Sequence, residues 1–243
     1  MKKTLAILGS TGSIGDSTLL SINNNKSFKI VLLSSNSNIK KLFKQAQKFN
    51  VKNVIIEDKN KYNQYRPIFK KKKINLYLGL NNIKKILKKK IHYCVNGISG
   101  IDGLEPSLNI IPLSKNFLIA NKESIICGWD LMYKKIKSNK TNFIPLDSEH
   151  FSIWSLLKNN NNNIERVILT ASGGPFLNKP KSKLSNIEPK LALKHPNWKM
   201  GKKISIDSST MMNKIFEFIE AKKIFNLKKS KLSIIIQPSS FVH

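Results

Sequence analysis

Three carboxylates in this sequence have the types and spacing of a divalent-metal site. Asp147 and Glu149 lie two residues apart at the end of an apolar run, Thr141 to Leu146, and Glu217 lies on a predicted helix. Side chains two apart in an extended strand share one face, where two carboxylates repel unless a cation or proton lies between them. Oxygen ligands favour Mg²⁺ or Mn²⁺. The alternative is that Asp147 caps the following helix and Glu149 is an ordinary acid of its first turn.

A second pattern lies at the N-terminus, where glycines follow a short apolar run. Thr4 to Leu8 predicts a strand, Gly9-Ser-Thr-Gly-Ser-Ile-Gly15 a tight turn, and Ser17 to Ile22 a helix. This order is typical of dinucleotide-binding folds, because glycines let backbone amides approach a pyrophosphate at a helix N-terminus. The spacing is a variant of the usual glycine fingerprint.

The residues that follow the second predicted strand indicate which dinucleotide would bind. Sites for NAD usually place an acid after this strand, which accepts a hydrogen bond from the ribose. Here Phe28 to Leu33 is followed by Ser34-Ser-Asn-Ser-Asn38, Lys40 and Lys41, with no acid. The sequence therefore favours NADP(H) over NAD(H), because a 2′-phosphate needs room and donors. A plain polar loop explains these serines and asparagines equally well.

Two further polar segments lie in the second half of the chain. His195-Pro-Asn-Trp198-Lys-Met-Gly201 is rich in turn formers and has the character of a mobile lid or of a surface loop whose Trp packs on the core. Downstream, Asp207 or Ser208 would cap a helix. One face of that helix carries three polar side chains, Asn213, Lys214 and Glu217. The last two, taken alone, would more often form a surface ion pair.

Alternating strand and helix patterns predict an α/β fold with a doubly wound sheet. Strands are predicted at 4–8, 28–33, 51–56, 74–78, 91–95, 117–120 and 141–146, and helices at 13–23, 38–49, 82–90, 102–111 and 122–137. The pattern then changes to a helix at 149–158, a strand from Ile164 to Thr170 and a glycine-rich loop at Ser172-Gly-Gly-Pro175. We therefore predict a Rossmann-like NADPH-binding domain at 1–146 and a second, α+β domain at 147–243.

The composition of this 243-residue chain, with a formal net charge of +29, would suggest a nucleic-acid-binding protein. Its basic residues are nearly all Lys, however, with only Arg66 and Arg166, whereas phosphate-reading surfaces tend to use Arg. The run Lys70 to Lys73 has no interleaved aromatic residues to stack bases. No segment is apolar enough to span a membrane, and Cys94 and Cys127 fit neither a zinc site nor a disulfide framework. The sequence predicts a cytoplasmic protein that binds neither nucleic acid nor membrane.

These motifs resemble, in order and from end to end, those of the 1-deoxy-D-xylulose 5-phosphate reductoisomerase family. The matching blocks are Gly9 to Gly15, Ala120-Asn-Lys-Glu-Ser124, Pro145-Leu-Asp-Ser-Glu-His150, Ser172-Gly-Gly-Pro-Phe176, His195-Pro-Asn-Trp198 and Lys203 to Lys214. The resemblance implies an enzyme that isomerises a linear sugar phosphate by a retro-aldol and aldol sequence. NADPH then reduces the aldehyde to 2-C-methyl-D-erythritol 4-phosphate, on the non-mevalonate route to isoprenoids. It also implies Mg²⁺ or Mn²⁺, a connective and catalytic role for the domain at 147–243 and, in full-length members, a homodimer.

The resemblance also implies roles for individual residues. The metal would be held by Asp147, Glu149 and Glu217, which with Lys122 form the catalytic set. The substrate-binding residues would be Lys122, Ser148, Glu149, Ser172, His195, Ser208, Asn213, Lys214 and Glu217. The NADPH site would be lined by Thr11, Gly12, Ser13, Ile14, Asn36, Ser37, Asn38, Asn121, Glu123 and Gly201. Trp198 would lie in a lid that excludes water from the substrate.

The sequence departs from the family pattern in two places. Members usually have Gly-Lys-Asn after the second strand, where this chain has Asn36-Ser-Asn38, so Ser37 replaces a lysine that would help to hold the 2′-phosphate unless Lys40 or Lys41 substitutes. The chain also stops at Gln237 to His243, where the family continues, which puts dimerisation in doubt. Two alternatives to an active enzyme stay open: an inactive truncated remnant of it, and a Lys-rich nucleic-acid-binding protein.

Overall fold

Residues 1–158, 164–194 and 201–242 are described by the computed structural model. The chain divides after Leu146 into two units, Met1–Leu146 and Asp147–His243. The division falls immediately before the first of the three carboxylates. Within the described ranges, no helix combines the length and the apolar character needed to cross a bilayer.

The first unit is built on a parallel sheet of seven strands. The strands are β1 (Lys3–Leu8), β2 (Phe28–Ser35), β3 (Asn53–Ile56), β4 (Asn75–Leu78), β5 (Ile91–Asn96), β6 (Ser114–Ile119) and β7 (Asn142–Pro145). The helices between them are α1 (Ser13–Ser21), α2 (Ile39–Lys48), α3 (Lys59–Lys71), α4 (Ile83–Ile86), α5 (Leu104–Ile110) and α6 (Lys122–Ser138).

The order of the strands makes this sheet doubly wound. The order is β4-β3-β2-β1-β5-β6-β7, so the chain winds outward from β1 to β4 and then returns to β5 on the other side of β1. Because parallel crossovers are right-handed, this reversal puts the helices of the two halves on opposite faces. The predicted α/β doubly wound fold is confirmed. Such sheets bind ligands at the reversal, outside the carboxyl ends of the strands, which here are β1 and β5.

The strands are apolar with little alternation because both faces of the sheet are covered. One core cluster joins Ile7 of β1 and Leu33 of β2 to Leu42 of α2 and Phe69 of α3, all of them fully buried. Each such side chain contributes about 1.5–3 kcal/mol through removal of apolar surface from water. This core holds the carboxyl ends of β1 and β2 in place.

Two helices of the first unit differ from the sequence prediction. The pattern does not predict α3, which is Lys-rich, contains Pro67 and has Phe69 as its buried residue. Its start is instead fixed by Asp58, which accepts a hydrogen bond from the Lys61 N–H at 3.0 Å. The predicted helix at 82–90 is too long, because Leu87 is extended (φ −94°, ψ 90°) and the following lysines lead directly into β5.

The second unit combines helices with a short parallel sheet. Its elements are α7 (Ser148–Lys158), β8 (Val167–Ala171), α8 (Pro189–Ala192), α9 (Lys202–Ser209), α10 (Met212–Ile224) and β9 (Leu232–Ile236). β8 pairs with β9 from Val167 opposite Leu232 to Ala171 opposite Ile236. Ile153 of α7 and Ala221 of α10 pack on the inner residues of these strands. This packing brings the start of α7 beside the middle of α10.

Candidate metal and nucleotide sites

Three carboxylates from two helices converge in the second unit. Asp147 immediately precedes α7, Glu149 lies in its first turn, and Glu217 lies in α10. One oxygen from each carboxylate lies within 4.8 Å of the other two. Glu217 is buried, and the other two are partly exposed. An ion with oxygen ligands at about 2.1 Å spans oxygens up to about 4.2 Å apart, so the three oxygens lie close to the separation that Mg²⁺ or Mn²⁺ requires.

The extended backbone predicted for Asp147 and Glu149 is wrong. Ser148 already begins α7, so Asp147 and Glu149 do not alternate along an extended strand. The Asp147 carbonyl accepts a helical hydrogen bond from the Phe151 N–H at 2.8 Å. Glu149 therefore occupies the first-turn position that the helix dipole favours for an acid. The third carboxylate joins the other two because α10 returns to this point from far along the chain.

A buried lysine lies between two of the carboxylates. Lys214 Nζ is 2.7 Å from Glu149 Oε1 and 2.5 Å from Glu217 Oε2, and the residue is 7% exposed. Burial disfavours the ammonium, but the attraction of Glu217 and Glu149 outweighs burial and raises the pKa of Lys214. Burial and Asp147 both oppose ionisation of Glu149, yet Lys214 outweighs them and lowers the pKa of that carboxyl. This pair is not the surface ion pair that the spacing alone suggests, because water is largely excluded from it.

Two neutral donors bind the remaining oxygens of the same glutamates. Asn213 Nδ2 donates to Glu217 Oε1 at 2.5 Å, and Ser148 Oγ donates to Glu149 Oε2 at 2.7 Å. Each glutamate therefore has one oxygen toward Lys214 and one toward a neutral side chain. These contacts fix the rotamers of both carboxylates, which is the positioning that a metal site needs.

His150 and Glu220 extend the cluster, and the sequence pattern predicts no role for either residue. The buried His150 ring lies 3.1 Å from Asp147 Oδ1 through Nδ1, and its Nε2 donates to the Glu217 carbonyl at 2.9 Å. Burial lowers the pKa of His150, but the hydrogen bond to Asp147 and the charge of Glu220, 3.9 Å away, outweigh burial and raise it. The ring thus ties Asp147 to α10. Helical spacing in the sequence could have indicated both residues. His150 follows Asp147 by three residues and Glu220 follows Glu217 by three, which places each pair on one face of a helix.

Part of the predicted phosphate-binding set comes together at a glycine loop. Ser172 follows β8 and precedes Gly173 and Gly174, whose φ angles are +88° and +72°. A Cβ at Gly174 would lie 2.6 Å from the backbone oxygen of Ser208, near the end of α9. Only glycine permits this approach, which places the Ser172 loop against Ser208.

The glycine turn of the first unit is closely packed. Gly9 has φ +72°, and a Cβ there would lie 2.9 Å from the Gly97 carbonyl oxygen. A Cβ at Gly15 would lie 2.4 Å from the backbone of Ser10, whereas one at Gly12 would have its nearest neighbour at 3.4 Å. Glycines at 9 and 15 therefore bring the start of α1 up to the end of β1, as a dinucleotide-binding turn requires.

A cleft of about 1020 Å³ opens beside this turn. Thr11, Gly12 and Asn36, all predicted cofactor residues, line it. Other lining residues come from the carboxyl ends of neighbouring strands and include Ser34, Ser35, Glu57 and Gly97. The cleft lies at the reversal between β1 and β5 and has the size of a cofactor pocket.

The serines after the predicted second strand belong to that strand. β2 extends to Ser35, and Ser34 and Ser35 are both buried, so the plain-loop interpretation is wrong for these two residues. Ser34 Oγ accepts a hydrogen bond from the Gly9 N–H at 3.0 Å, and Ser35 Oγ lies 2.8 Å from Thr11 Oγ1. The hydroxyl groups tie the end of β2 to the glycine turn.

The other predicted cofactor residues lie mostly at helix N-termini. Ser13 and Ile14 begin α1, and Asn38 caps α2. Asn121 caps α6, and its amide also donates to the carbonyl of Ile98, a residue that lines the cleft. Of the remaining predicted residues, Lys122 and Glu123 form the first turn of α6, Gly201 is the N-cap of α9, and His195 and Trp198 lie outside the described residues.

Fold and sites together define a Rossmann-like α/β protein with a carboxylate-and-lysine cluster in a second unit. Comparison with family models identifies the family. The model of 1-deoxy-D-xylulose 5-phosphate reductoisomerase matches residues 5–128, and the model of the C-terminal domain of that enzyme matches residues 143–225. The chain belongs to the 1-deoxy-D-xylulose 5-phosphate reductoisomerase family.

Individual relatives agree with this membership. The 1-deoxy-D-xylulose 5-phosphate reductoisomerase of Pelagibacter ubique (strain HTCC1062) is 56% identical, over 99% of this chain and 63% of the relative. That of Thermoanaerobacter sp. (strain X514) is 42% identical, over 100% and 64%. The Zymomonas mobilis enzyme in complex with NADPH has a TM-score of 0.90 at 33% identity, over 100% and 63%. A DOX-P reductoisomerase with NADPH, fosmidomycin and magnesium has a TM-score of 0.88 at 35% identity, over 99% and 62%. The chain thus spans somewhat less than two thirds of the length of these relatives.

Proposed function

We propose that this chain carries out the NADPH- and divalent-metal-dependent isomerisation and reduction of 1-deoxy-D-xylulose 5-phosphate to 2-C-methyl-D-erythritol 4-phosphate, a step of non-mevalonate isoprenoid precursor synthesis. Family membership supports the reaction, and two solved relatives are described with NADPH, one of them also with magnesium. The observation that carries the proposal for this chain is the convergence of Asp147, Glu149 and Glu217.

The charge balance of that cluster supports a divalent ion. The three carboxylates Asp147, Glu149 and Glu217 converge around one ammonium group, that of Lys214. Two negative charges remain, and like charges this close oppose one another's ionisation unless a cation joins them. A bound Mg²⁺ or Mn²⁺ matches that charge and would supply Lewis-acid stabilisation of negative charge developing on the substrate.

The protein's own side chains would position the reactants. Lys122, Ser148 and Glu149 would contact the reacting end of the substrate. Its phosphate end would be held by Ser172, His195, Ser208, Asn213 and Lys214, with Glu217 beside them. Binding energy from the phosphate would then orient the atoms that react, and Trp198 would help to exclude water. The close approach of the Ser172 loop to Ser208 supports one phosphate contact region formed by both.

NADPH is the cofactor that we propose for the cleft of the first unit. Thr11, Gly12 and Asn36 line that cleft, and the N-terminus of α1 begins beside it, where backbone amides favour a pyrophosphate. The other residues proposed to bind NADPH are Ser13, Ile14, Ser37, Asn38, Asn121, Glu123 and Gly201.

We further propose that the protein acts in the cytoplasm on a small sugar phosphate, without nucleic acid or membrane as a partner. The homodimer is implied for full-length family members only, and dimerisation of this chain is a separate, open question. Sedimentation equilibrium of the purified chain measures its mass directly, and a monomer mass across the concentration range would show that this chain does not dimerise.

The test of the function is consumption of NADPH by the purified 243-residue chain with 1-deoxy-D-xylulose 5-phosphate and Mn²⁺. Glu217→Gln removes one metal ligand and its charge while keeping size and shape. Since it acts on the metal that stabilises the transition state, we expect a loss of rate of at least about 100-fold. Glu165→Gln, which changes an exposed glutamate of the same unit, is the matched control and should keep the wild-type rate.

The outcomes separate the alternatives. Turnover that is lost in Glu217→Gln and kept in Glu165→Gln would establish both the reaction and a functional metal site. Absence of turnover from wild-type protein with cooperative unfolding would favour the inactive-remnant interpretation. Equal rates in both variants would show that the carboxylate cluster does not serve this reaction.

A further inference from the structure

The loop that follows β2 is held against the start of α3. The Asn36 carbonyl accepts hydrogen bonds from the backbone N–H groups of Glu57 and Asp58, at 3.2 and 3.0 Å. Asp58 in turn caps α3 by accepting from the Lys61 N–H. The first turn of α3 therefore begins beside the loop that carries Ser37.

Lys61 reaches back from this turn to the loop. Its Nζ donates to the Ser37 carbonyl at 2.8 Å and lies 3.6 Å from Asp58 Oδ2. The side chain is 41% exposed, so its ammonium is open to solvent. An ammonium has three donors: the Ser37 carbonyl takes one and Asp58 attracts a second, so one donor remains for an anion. The ammonium is thereby fixed next to Asn36, which lines the cleft.

The two lysines that follow the loop in sequence are placed differently. Lys41 Nζ donates to the Thr11 carbonyl at 3.0 Å and forms an ion pair with Asp16, so its ammonium is held at the glycine turn and not at the loop. Lys40 is exposed on α2, and among the described residues no hydrogen bond or ion pair joins its side chain to the loop. Lys61 is therefore the lysine whose ammonium the structure joins directly to the loop.

We propose that Lys61 binds the 2′-phosphate of the dinucleotide and so selects NADPH over NADH. The proposal rests on the proposed function, since it assigns a residue to that cofactor. In doubly wound folds the adenosine ribose lies at the end of the second strand, where an acid selects NAD and a cation accommodates the 2′-phosphate. Here the loop positions 36–38 are uncharged, and the cation comes from α3, across the β3–α3 junction.

The experiment is titration of the full 243-residue chain with NADPH and with NADH, followed by cofactor fluorescence at physiological salt. Loss of one charge-assisted contact in Lys61→Ala should weaken NADPH binding about tenfold and leave NADH binding unchanged. Lys61→Arg, which keeps the charge, should retain most of the preference. Lys59→Ala removes an equal charge from an exposed position in the same turn and should change neither dissociation constant.

A rescue variant tests the location of the phosphate. Adding Ser37→Lys to Lys61→Ala puts a cation back at the loop and should restore NADPH binding, whereas a double variant as weak as Lys61→Ala would overturn the assignment. Equal NADPH affinity in Lys61→Ala and Lys59→Ala would also overturn it, while leaving NADPH as the cofactor. Failure of the wild-type chain to bind either dinucleotide would instead overturn the proposed cofactor itself.

Discussion

The two candidate sites of this molecule are built by different means. The cleft in the first unit is shaped by glycine backbone and neutral hydroxyl groups, with Ser34 and Thr11 joining β2 to the glycine turn. The site in the second unit is made of charges, with Lys214 and Glu217 almost wholly buried. The first site therefore depends mainly on steric fit, and the second depends on electrostatic balance.

This difference determines how each site should fail. In the first site, backbone segments pack so closely that no side-chain atom can be added to Gly9 or Gly15. The hydrogen bonds around this site nevertheless stay intact when a distant residue changes. In a buried charge cluster, removal of one member leaves the others uncompensated in a medium that screens poorly. We therefore expect a larger loss of stability when one charge is removed from the second unit than when one methyl group is added to the first.

Lys214→Met should give the largest loss of stability. The change keeps most of the apolar volume but leaves Glu149 and Glu217 without the ammonium between them. Breaking a buried pair in this way costs about 3–5 kcal/mol. Urea unfolding without divalent ions measures the loss. Addition of Mn²⁺ should stabilise the variant more than the wild type, because the ion takes over part of the charge balance.

Lys203→Met is the matched control for this prediction. Lys203 pairs with Asp207 at 2.7 Å, but its side chain is 54% exposed, so the change should cost about 0–1 kcal/mol. Equal stability of Lys214→Met and the wild type in metal-free buffer would show that the cluster does not need its internal ammonium. The distinction between a steric site and an electrostatic site would then be lost.

Gly15→Ala should give the next largest loss. The added Cβ would lie 2.4 Å from the backbone of Ser10, which cannot move without shifting β1 or α1. Overpacking of this kind costs about 1–3 kcal/mol, measured by urea unfolding. Gly12→Ala, in the same turn, meets its nearest atom at 3.4 Å and should lose at most about 1 kcal/mol through the poorer N-cap. Similar losses in both variants would contradict a steric origin.

Much of the fold follows from sequence, and the exceptions have physical reasons. The buried strands of the sheet are predictable because their apolar runs are bounded by glycine and polar turns. The pattern does not predict α3, because a Lys-rich helix that buries Phe69 leaves a weak apolar period, and its start depends on the Asp58 cap. The predicted helix at 82–90 is too long because the chain must become extended at Leu87 to enter β5.

The two candidate sites can likewise be predicted from sequence only in part. The glycine turn is local, so contiguous residues indicate its geometry. Asp147 and Glu149 are recognisable as an acidic pair, but the strand period gives the wrong backbone for them, because a helix start places an acid there equally well. Local sequence patterns do not predict tertiary contacts. Two examples are His150, which joins Asp147 to α10, and Lys61, whose side chain binds the carbonyl of a loop residue 24 positions earlier in the chain.

Asp58 offers the smallest expected effect and a test of charge in the first unit. The backbone N–H of Lys61 is the main cause that lowers the pKa of Asp58 from its ordinary value of 3.8. A depressed pKa in the folded state means that the ionised carboxylate stabilises the fold above pH 3.8, and that this stabilisation is lost as the pH falls through the lower folded value. Asp58→Asn keeps a capping oxygen without the charge, so its stability should lack this pH dependence.

Thermal unfolding of wild type and Asp58→Asn between pH 3 and pH 6 measures the difference. We expect a small advantage of the wild type above pH 3.8 that declines as the pH falls below this value. A wild-type advantage that stays constant across this pH range would show that the advantage comes from hydrogen-bond geometry and not from charge. Water screens the partly exposed cap more than it screens the buried pair, so we expect the smaller loss at Asp58. A loss as large as that of Lys214→Met would mean that the first unit depends on charge as strongly as the second.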